Sequence, residues 1–310
     1  MTSLCVAICT FNRSQLLSEL ISAIRRQQCE CPYDILVIDN NSHDDTQSIL
    51  IRLAQEPGPP LRYVREPMQG IVHARNRAIT ECLNYDYIAF IDDDEIPEEG
   101  WLQAAYHALH FEGADCVGGK IKVNFDSLSR PAWLNGEIAG FLGHLDYGPQ
   151  PLWIENATTP VWTGNIAYCL KIFRNEKNPL RFDSRYNRKG ADIGGGEDLV
   201  MFRKLIENKS RIRYRPDMII GHRVEAWKLK RLYFLKLHYR TGFRKGRHDL
   251  PDYPKKVMGI PPFMISQLVN QSAKILLMWA KNEAGVLRQA MNATHTLGTI
   301  FGYAKRDRTG

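Results

Sequence analysis

The chain has 310 residues, of which 44% are hydrophobic and 24% are charged, and its formal net charge is +7. A chain of this length can bury a full hydrophobic core, and the composition excludes disordered, collagen-like and disulfide-scaffold proteins. The first residues contain no basic segment and no cleavage site, so we expect no signal peptide. The seven cysteines lie mostly in apolar segments, which favours a reducing cytosol, and the Cys29–Cys31 pair alone is weak evidence for zinc.

The first half of the chain alternates short apolar runs with amphipathic stretches, a pattern typical of βαβ units and a mostly parallel sheet. The predicted elements, in chain order, are a strand over Leu4–Cys9, a helix carrying Leu16 to Ile24, a strand over Tyr33–Asp39, a helix over Thr46–Ala54, a strand over Leu61–Arg65, a helix from Ile71, a strand over Tyr87–Ile91, a helix over Trp101–Phe111 and a strand over Cys116–Val123.

Residues 124–160 are less regular, and their prolines and aromatic residues predict a long functional loop. Trp133 and Trp153 fit either stacking on sugars or core packing, whereas Trp162 favours packing. Order returns over residues 161–170, followed by a helix over residues 197–206 and a short strand over Met218–Gly221.

The last third of the chain carries most of the charge. Residues 223–256 have a net charge of +8, and the remainder is nearly neutral. This pattern predicts that the basic segment binds a local anionic surface, with phospholipid as the leading candidate. Basic and apolar residues alternate over 228–247, so this helix is predicted to lie on anionic lipid, to pack on the catalytic domain or to close over a diphosphate. No nucleic-acid module is present, and we expect no nucleic-acid partner. The apolar segment 263–279 is interrupted by polar residues, so we expect it to lie on a membrane rather than to span it.

Polar residues follow three of the predicted strands: Thr10–Arg13, Asp39–Ser42 and Asp92–Glu95. Ligands of open α/β sheets bind beyond the carboxyl ends of the strands, so we expect these segments to converge. Four adjacent carboxylates at a buried strand end repel one another unless a cation lies among them, which predicts Mg²⁺ or Mn²⁺. The alternative is a solvated acidic turn that caps the next helix.

Several motifs in one order make residues 1–225 resemble the family 2 glycosyltransferases of the GT-A fold. The matching segments are Thr10-Phe11-Asn12-Arg13, Gly70-Ile71-Val72-His73-Ala74-Arg75-Asn76, Phe90-Ile91-Asp92-Asp93-Asp94, Trp162-Thr163-Gly164-Asn165 and Gly196-Glu197-Asp198. The resemblance implies an α/β fold with a Rossmann-like, mostly parallel sheet flanked by helices. We therefore predict a catalytic domain over residues 1–225 and a basic, amphipathic, membrane-associated helical tail over residues 226–310.

The resemblance also implies the positions that hold the nucleotide-sugar donor. They are Thr10, Phe11, Asn12, Arg13, Asp39, Asn41, Arg75, Asn76, Asp92, Asp93, Gly164 and Asn165. It implies a divalent metal site formed by Asp92, Asp94 and His222. From the residues alone, Arg75 is as well explained as a surface arginine, Asn76 as a residue of a helix start, and His222 as an ordinary histidine.

By the same resemblance Asp198 is the catalytic base, and Glu197 holds the acceptor or assists. A metal stabilises the leaving diphosphate, and a base on the opposite face of the sugar deprotonates the acceptor hydroxyl. One base without a second carboxylate as nucleophile predicts a single displacement with inversion at the anomeric carbon.

The predicted function is an inverting glycosyltransferase that moves a sugar, most commonly from UDP, to a hydroxyl of a glycan or lipid-linked acceptor. We expect it in the cytoplasm, in peripheral contact with the inner face of the cell membrane. One alternative is a nucleotidyltransferase that makes nucleotide sugars, although residues 9–13 lack the glycines of its phosphate loop. The other is an inactive sugar-binding scaffold, against which the retained acidic motifs argue.

Overall fold

A computed structural model describes residues 2–126, 128–175, 179–190 and 192–306 of the chain. The chain divides into two compact units. Unit 1 comprises Met1–Ser129, Ala139–Gly190 and Glu197–Val224, and unit 2 comprises Arg130–Ile138, Ala191–Gly196 and Glu225–Gly310. The two-domain division at residue 225 stays a prediction, and residues 307–310 of the predicted tail lie outside the described residues.

The described residues of unit 1 form a sheet of nine strands: β1 (Leu4–Thr10), β2 (Tyr33–Asp39), β3 (Leu61–Arg65), β4 (Tyr87–Asp92), β5 (Glu95–Pro97), β6 (Cys116–Asn124), β7 (Leu152–Ile154), β8 (Asn165–Cys169) and β9 (Ile212–Arg223). Their order is β3-β2-β1-β4-β8-β6-β9-β5, and β7 pairs with β9. The first four strands are parallel, as predicted. The other half is mixed, because β8 runs antiparallel to β4 and β6 while β6 runs parallel to β9.

The helices are α1 (Ser14–Arg25), α2 (Thr46–Ala54), α3 (Ile71–Glu81), α4 (Trp101–His110), α5 (Gly136–Ala139), α6 (Glu197–Glu207), α7 (Arg231–Arg244), α8 (Pro262–Ala280) and α9 (Val286–Ala304). In α1 the apolar residues Leu17, Leu20 and Ile24 recur at helical spacing and are fully buried. Every residue of β1 is buried, as expected of a strand covered on both faces. The core of unit 1 therefore forms between its sheet and its helices.

Strand β9 is longer than predicted, since it covers Ile212–Arg223 rather than Met218–Gly221. Ile212 and Tyr214 are buried, whereas the arginine between them lies on the partly exposed face. This alternation is typical of a strand with one buried face, but the arginines hide it from a search for continuous apolar runs.

The segment over residues 124–160, predicted as a loop, contains short regular pieces. Helix α5 is followed by a 3-10 turn over Gly140–Leu142, and β7 pairs with β9. An isolated bridge joins Ile121 to Leu145. These pieces fix the carbonyl group of Leu142 beside the end of β9.

The three tryptophans singled out from the sequence all make packing contacts. Trp162 packs against the core of unit 1, as predicted. Trp133 meets the ring of Phe234 edge-on, with 5.6 Å between the ring centroids. Trp153 is 40% exposed and lies 4.8 Å from the guanidinium carbons of Arg211 and Arg213. Cation–π contacts thus accompany this partly exposed ring.

In unit 2, helices α7 and α9 pack at glycines. A Cβ atom added at Gly242 would lie 1.9 Å from the carbonyl oxygen of His295, and one at Gly302 would lie 1.9 Å from a carbonyl oxygen of α7. Gly246 and Gly298 are similarly close to the facing backbone. No side chain fits at such distances, so these glycines allow the close crossing. Packing on α9 is therefore one role of α7, which lies within the basic segment 228–247.

None of the helices in the described ranges has the length and apolar character that a bilayer-spanning segment requires.

Candidate active site

Polar residues meet at the carboxyl ends of β1, β2 and β4. Strand β1 lies between the other two, with Thr10 opposite Asp39 of β2 and the preceding residue opposite Asp92 of β4. The hydroxyl of Thr10 donates a hydrogen bond to Asp93 Oδ2 at 2.8 Å. The expected convergence of these three segments is thus present in the sheet.

The turns after β1 and β2 support each other through side-chain bonds. Asn12 and Asn41 have left-handed backbones, with φ of 52° and 66°, which asparagine tolerates better than most residues. Asn12 Oδ1 accepts from the backbone N–H of His43 at 2.8 Å, and Asp39 Oδ1 accepts from that of Ser42 at 2.9 Å. Asn41 Oδ1 accepts from a side chain of β3 at 2.6 Å. The two turns form a connected rim, and the partly exposed Phe11 lies on it.

The carboxylates of the acidic run, Asp92–Glu95, make one another harder to ionise. Burial and the neighbouring charge of Asp94 raise the pKa of Asp93 to about 7. Burial and the charge of Asp92 raise the pKa of Glu95 well above its ordinary value. Arg13 lies 4.0 Å from Asp94 Oδ2. Desolvation and mutual repulsion oppose ionisation here, and a nearby cation favours it.

His222 reaches the acidic run because β5 and β9 pair, which sets Glu95 opposite His222. His222 Nε2 lies 3.7 Å from Asp94 Oδ1, and Nδ1 lies 2.8 Å from the carbonyl oxygen of Leu142. A carbonyl oxygen only accepts, so Nδ1 carries the proton of the neutral ring and Nε2 presents its lone pair. A backbone carbonyl that accepts from the other ring nitrogen commonly orients a metal-binding histidine.

A divalent cation fits this pair of donors, because carboxylate oxygen and imidazole nitrogen both bind Mn²⁺ or Mg²⁺-type ions. In the described ranges, no group of three or more His, Cys, Asp or Glu side chains is arranged to hold a metal ion. Such cations usually take one or two protein carboxylates and complete their shell with substrate phosphates and water. The donor set of Asp94 and His222 matches that mode of binding.

The acidic run and the predicted base meet at Arg75. Its Nη1 atom donates to Asp198 Oδ1 at 2.6 Å and to Glu197 Oε1 at 3.2 Å, and its Nη2 atom donates to Asp92 Oδ1 at 3.2 Å. Arg75 is only 2% exposed, so it is not a surface arginine. Burial alone would lower the pKa of Arg75, but the three carboxylates raise it well above its ordinary value. The guanidinium is a fixed positive charge at this junction.

Two adjacent carboxylates at the start of α6 differ in environment. Glu197 is buried, and burial and the charge of Asp198 raise its pKa, while Arg75 opposes the rise. The side chain of Asp198 is 25% exposed and also accepts a hydrogen bond from the hydroxyl of Thr163. Asp198 is thus the accessible carboxylate, and Glu197 is its buried neighbour.

Thr163 was missed from the sequence as a site residue. It lies in the Trp162–Asn165 segment that resembles the family, and it is 1% exposed. No linear pattern marks its hydroxyl, because its partner Asp198 follows far along the chain. Only the folded arrangement brings the two together.

Asn165 is predicted to contact the donor, but its amide is engaged within the core. Trp101 Nε1 donates to Asn165 Oδ1 at 2.7 Å, and Asn165 Nδ2 donates to the carbonyl oxygens of Lys120 and Met218, both at 2.9 Å. All these bonds link structural elements of the sheet and α4. The donor contact of Asn165 stays a prediction.

Asn76 is similarly engaged, since its amide exchanges two hydrogen bonds with the backbone of Phe182, at 3.0 Å and 2.9 Å. Gly164 lies against the acidic run, because a Cβ atom added there would be 2.5 Å from Glu95 Oε1. Gly164 is therefore beside the candidate donor site, whereas the Asn76 amide holds the segment that packs on α3. The donor contacts of both residues stay predictions.

Comparisons with known proteins identify the family and the fold to which this chain is similar. A family model described as glycosyl transferase family 2 matches residues 5–177. The succinoglycan biosynthesis protein ExoM of Rhizobium meliloti (strain 1021) is 23% identical over 244 residues, which cover 78% of this chain and 74% of that protein. The mannosyltransferase PcManGT from Pyrobaculum calidifontis, in complex with GDP-Man and Mn²⁺, aligns with a TM-score of 0.60 at 16% identity, over 97% of this chain and 87% of that one. S. aureus TarS 1-349, in complex with UDP-GlcNAc, aligns with a TM-score of 0.52 at 16% identity, over 76% of this chain and 66% of that one. These likenesses confirm the predicted GT-A type fold.

Proposed function

The chain belongs to glycosyl transferase family 2 and is a glycosyltransferase, and we propose that it is an inverting, metal-dependent enzyme that takes a sugar from a nucleotide diphosphate donor. The acceptor is a hydroxyl of a glycan or lipid-linked substrate. Because the chain is a glycosyltransferase of this family, we retain neither the nucleotidyltransferase nor the inactive-scaffold alternative. We assign the catalytic role to residues 1–225.

One observation carries the proposal: Asp92 and Asp198 bind the same guanidinium, that of Arg75. The first carboxylate ends the strand where donors of open α/β sheets bind, and the second begins α6. Direct transfer between two bound substrates requires the donor site and the base to lie close together. The shared hydrogen bonds to Arg75 place a donor-binding carboxylate and a candidate base in that arrangement.

The donor is proposed to be a UDP-sugar. Two solved neighbours support a nucleotide diphosphate donor, because UDP-GlcNAc is bound in one and GDP-Man in the other and both ligands contain a diphosphate. The choice of UDP follows the resemblance to the family. We place the base and ribose at the rim formed by Thr10–Arg13, Asp39 and Asn41. The diphosphate then lies toward Asp92 and Asp94, where a cation is needed to offset the like charges.

A divalent metal, Mn²⁺ or Mg²⁺, would be held by Asp94 and His222, with Asp92 beside them. When bound, it supplies Lewis-acid stabilisation of the negative charge that grows on the leaving diphosphate. The Nε2 lone pair of His222 and the carboxylate of Asp94 are the donors that support this assignment.

Asp198 is proposed to accept the proton of the acceptor hydroxyl. One of its oxygens is held by Arg75 and Thr163, and its side chain is partly exposed. Glu197 is buried and shares the same arginine, so it assists by completing that junction. With one base and no second carboxylate assigned as nucleophile, the reaction is a single displacement with inversion.

Residues 226–310 are proposed to bring the enzyme to the inner face of the cell membrane through α8. Five large apolar side chains of this helix are at least half exposed: Phe263, Val269, Leu276, Leu277 and Trp279. Residues 253–282 contain four lysines and no acidic residue. An exposed apolar face with lysines and a terminal tryptophan suits the interface of an anionic bilayer.

Co-sedimentation with vesicles tests this membrane contact. We expect the enzyme to bind vesicles that contain phosphatidylglycerol more strongly than neutral ones, and we expect Leu276→Ser/Trp279→Ser to lose most of that binding. Ile51→Ser, which changes an exposed apolar residue of unit 1, serves as the matched control. Equal binding by all three proteins would place the contact elsewhere.

The catalytic proposal is tested by a screen of nucleotide sugars for release of nucleoside diphosphate, with Mn²⁺, with Mg²⁺ and with EDTA. We expect one donor class to be hydrolysed slowly, and chelation to abolish the reaction. His222→Ala should raise the Mn²⁺ concentration needed for half-maximal rate, since it removes one proposed ligand. Turnover that is indifferent to EDTA would contradict the metal assignment, and a failure with every donor would contradict the function.

A further inference from the structure

Both terminal nitrogens of the Arg75 guanidinium are engaged by carboxylates of the protein. Nη1 donates to Asp198 and Glu197, Nη2 donates to Asp92, and Nε is buried without an acceptor among the described residues. The guanidinium carbon lies 5.6 Å from the centroid of the Phe182 ring, which covers one side. A side chain in this position is poorly placed to bind a phosphate directly.

Asp198 is held at only one of its two carboxylate oxygens. Oδ1 accepts from Arg75 Nη1 at 2.6 Å and from the hydroxyl of Thr163. Among the described residues, none donates a hydrogen bond to Oδ2. Two donors on one oxygen fix the plane of the carboxylate and leave the other oxygen for a substrate proton.

We propose that Arg75 is a positioning residue that sets Asp198 at a fixed place relative to Asp92, with Thr163 as the second support of the same oxygen. This inference rests on the proposed function, because it takes Asp198 as the base. It differs from the prediction that Arg75 contacts the donor. The planar fork bridges two carboxylates from two nitrogens, whereas a lysine ammonium is a single point charge that cannot hold the same geometry.

The first test is Arg75→Lys, which keeps the charge. A base misplaced by ~1 Å costs on the order of 10²-fold in rate, so we expect kcat to fall about 10- to 100-fold. The Kd of the nucleoside diphosphate, measured by titration calorimetry, should change less than about twofold, because the donor does not touch Arg75. Arg77→Lys is the matched control, since Arg77 lies on the same helix, is 40% exposed and pairs with Glu81.

Double substitutions separate positioning from independent roles. If Arg75 acts through Asp198, then Arg75→Lys should cause little further loss in an Asp198→Asn background. Thr163→Val should lower kcat by a smaller factor and should also be non-additive with Arg75→Lys. Losses that simply multiply in these pairs would overturn the inference, as would Arg75→Lys raising the Kd of the nucleoside diphosphate at least tenfold with unchanged kcat.

Crystal structures of the wild type and Arg75→Lys give a readout that does not need turnover. We expect one Asp198 conformer bonded to Thr163 in the wild type and a displaced or multiple conformer in the variant. An unchanged Asp198 in the variant would overturn the inference. A wild type that acts on no nucleotide sugar would instead contradict the proposed function, and the two failures are thereby distinguishable.

Discussion

Two regions of this molecule are held together by opposite means. At the junction in unit 1, three carboxylates surround the buried guanidinium of Arg75, so charges are fixed at short distances with desolvation as the cost. Where α7 crosses α9 in unit 2, the lack of a side chain at glycines such as Gly242 and Gly302 brings the two backbones together. The difference separates function from stability: changes at the junction should alter the reaction, and changes at the crossing should alter folding.

The largest effect is expected for Asp198→Asn. Loss of a general base typically costs ~10²–10⁴-fold, so kcat should fall by about that factor while thermal unfolding changes little. Rates of nucleoside diphosphate release at saturating donor measure it. Asp217→Asn, a surface change that removes an exposed partner of Arg215, is the control and should leave the rate unaltered. Normal turnover by Asp198→Asn would remove the base assignment.

A substitution at Asn165 tests whether this residue stabilises the fold or binds the donor. Asn165→Ala leaves the indole N–H of Trp101 and two carbonyl oxygens without their partners, and each unpaired buried group costs about 1–3 kcal/mol. We expect the free energy of unfolding in urea to fall by about 3 kcal/mol, with Asn208→Ala on an exposed site as control. Unchanged stability with a raised KM for the donor would instead support the donor contact.

Gly302→Ala should weaken the helix crossing without touching the reaction. The added Cβ would meet a carbonyl oxygen at 1.9 Å, so α7 and α9 must move apart, at about 1–3 kcal/mol. Gly136→Ala is the matched control, because nothing lies within 4 Å of an added Cβ there. If both variants unfold at the wild-type temperature, the crossing does not contribute as proposed.

The smallest effect is a pH dependence of unit 2. Burial, then the charges of Lys245 and His238, lower the pKa of His295 to about 4. The unfolded chain takes up this proton near pH ~6.5, and the folded chain does so only near pH 4. The contribution of His295 to the free energy of unfolding is therefore present above pH ~6.5 and is lost as the pH drops toward 4. The shift alone corresponds to about 2 kcal/mol at pH 5, which solvent screening of the partly exposed side chain reduces to on the order of 1 kcal/mol.

Urea unfolding at pH 7.5 and pH 5 measures this loss for the wild type and for His295→Gln. The variant should lose less stability between the two pH values, while His43→Gln, at an exposed histidine, should match the wild type. An identical pH dependence for all three proteins would show that His295 does not carry the effect.

The parallel half of the fold was predictable because each of its elements has a local signature. Thr46–Ala54 and Leu61–Arg65 have the predicted bounds, since helical spacing and a proline-rich stop define them along the chain. Strand β9 was underestimated because its arginines interrupt the apolar pattern. The packing of α7 on α9 was not predictable, because it depends on glycines, which carry no periodic hydrophobic signal.

The candidate site was predictable only as separate motifs. The positions of Asp92 and Asp198 follow from linear segments, but their common partner Arg75 is set by how α3 crosses the strand ends. Thr163 has no signal of its own. The environments of Asn76 and Asn165 were also invisible, because hydrogen bonds to distant backbone carbonyls leave no sequence pattern.

The anomeric configuration of the first-formed product tests the account most directly. Proton NMR of the sugar released or transferred from an α-linked donor, recorded before mutarotation, should show the β configuration. That result follows if Asp198 deprotonates the incoming hydroxyl for one in-line displacement. A product that first appears with the α configuration would contradict the single-displacement site assembled around Asp198 and Arg75.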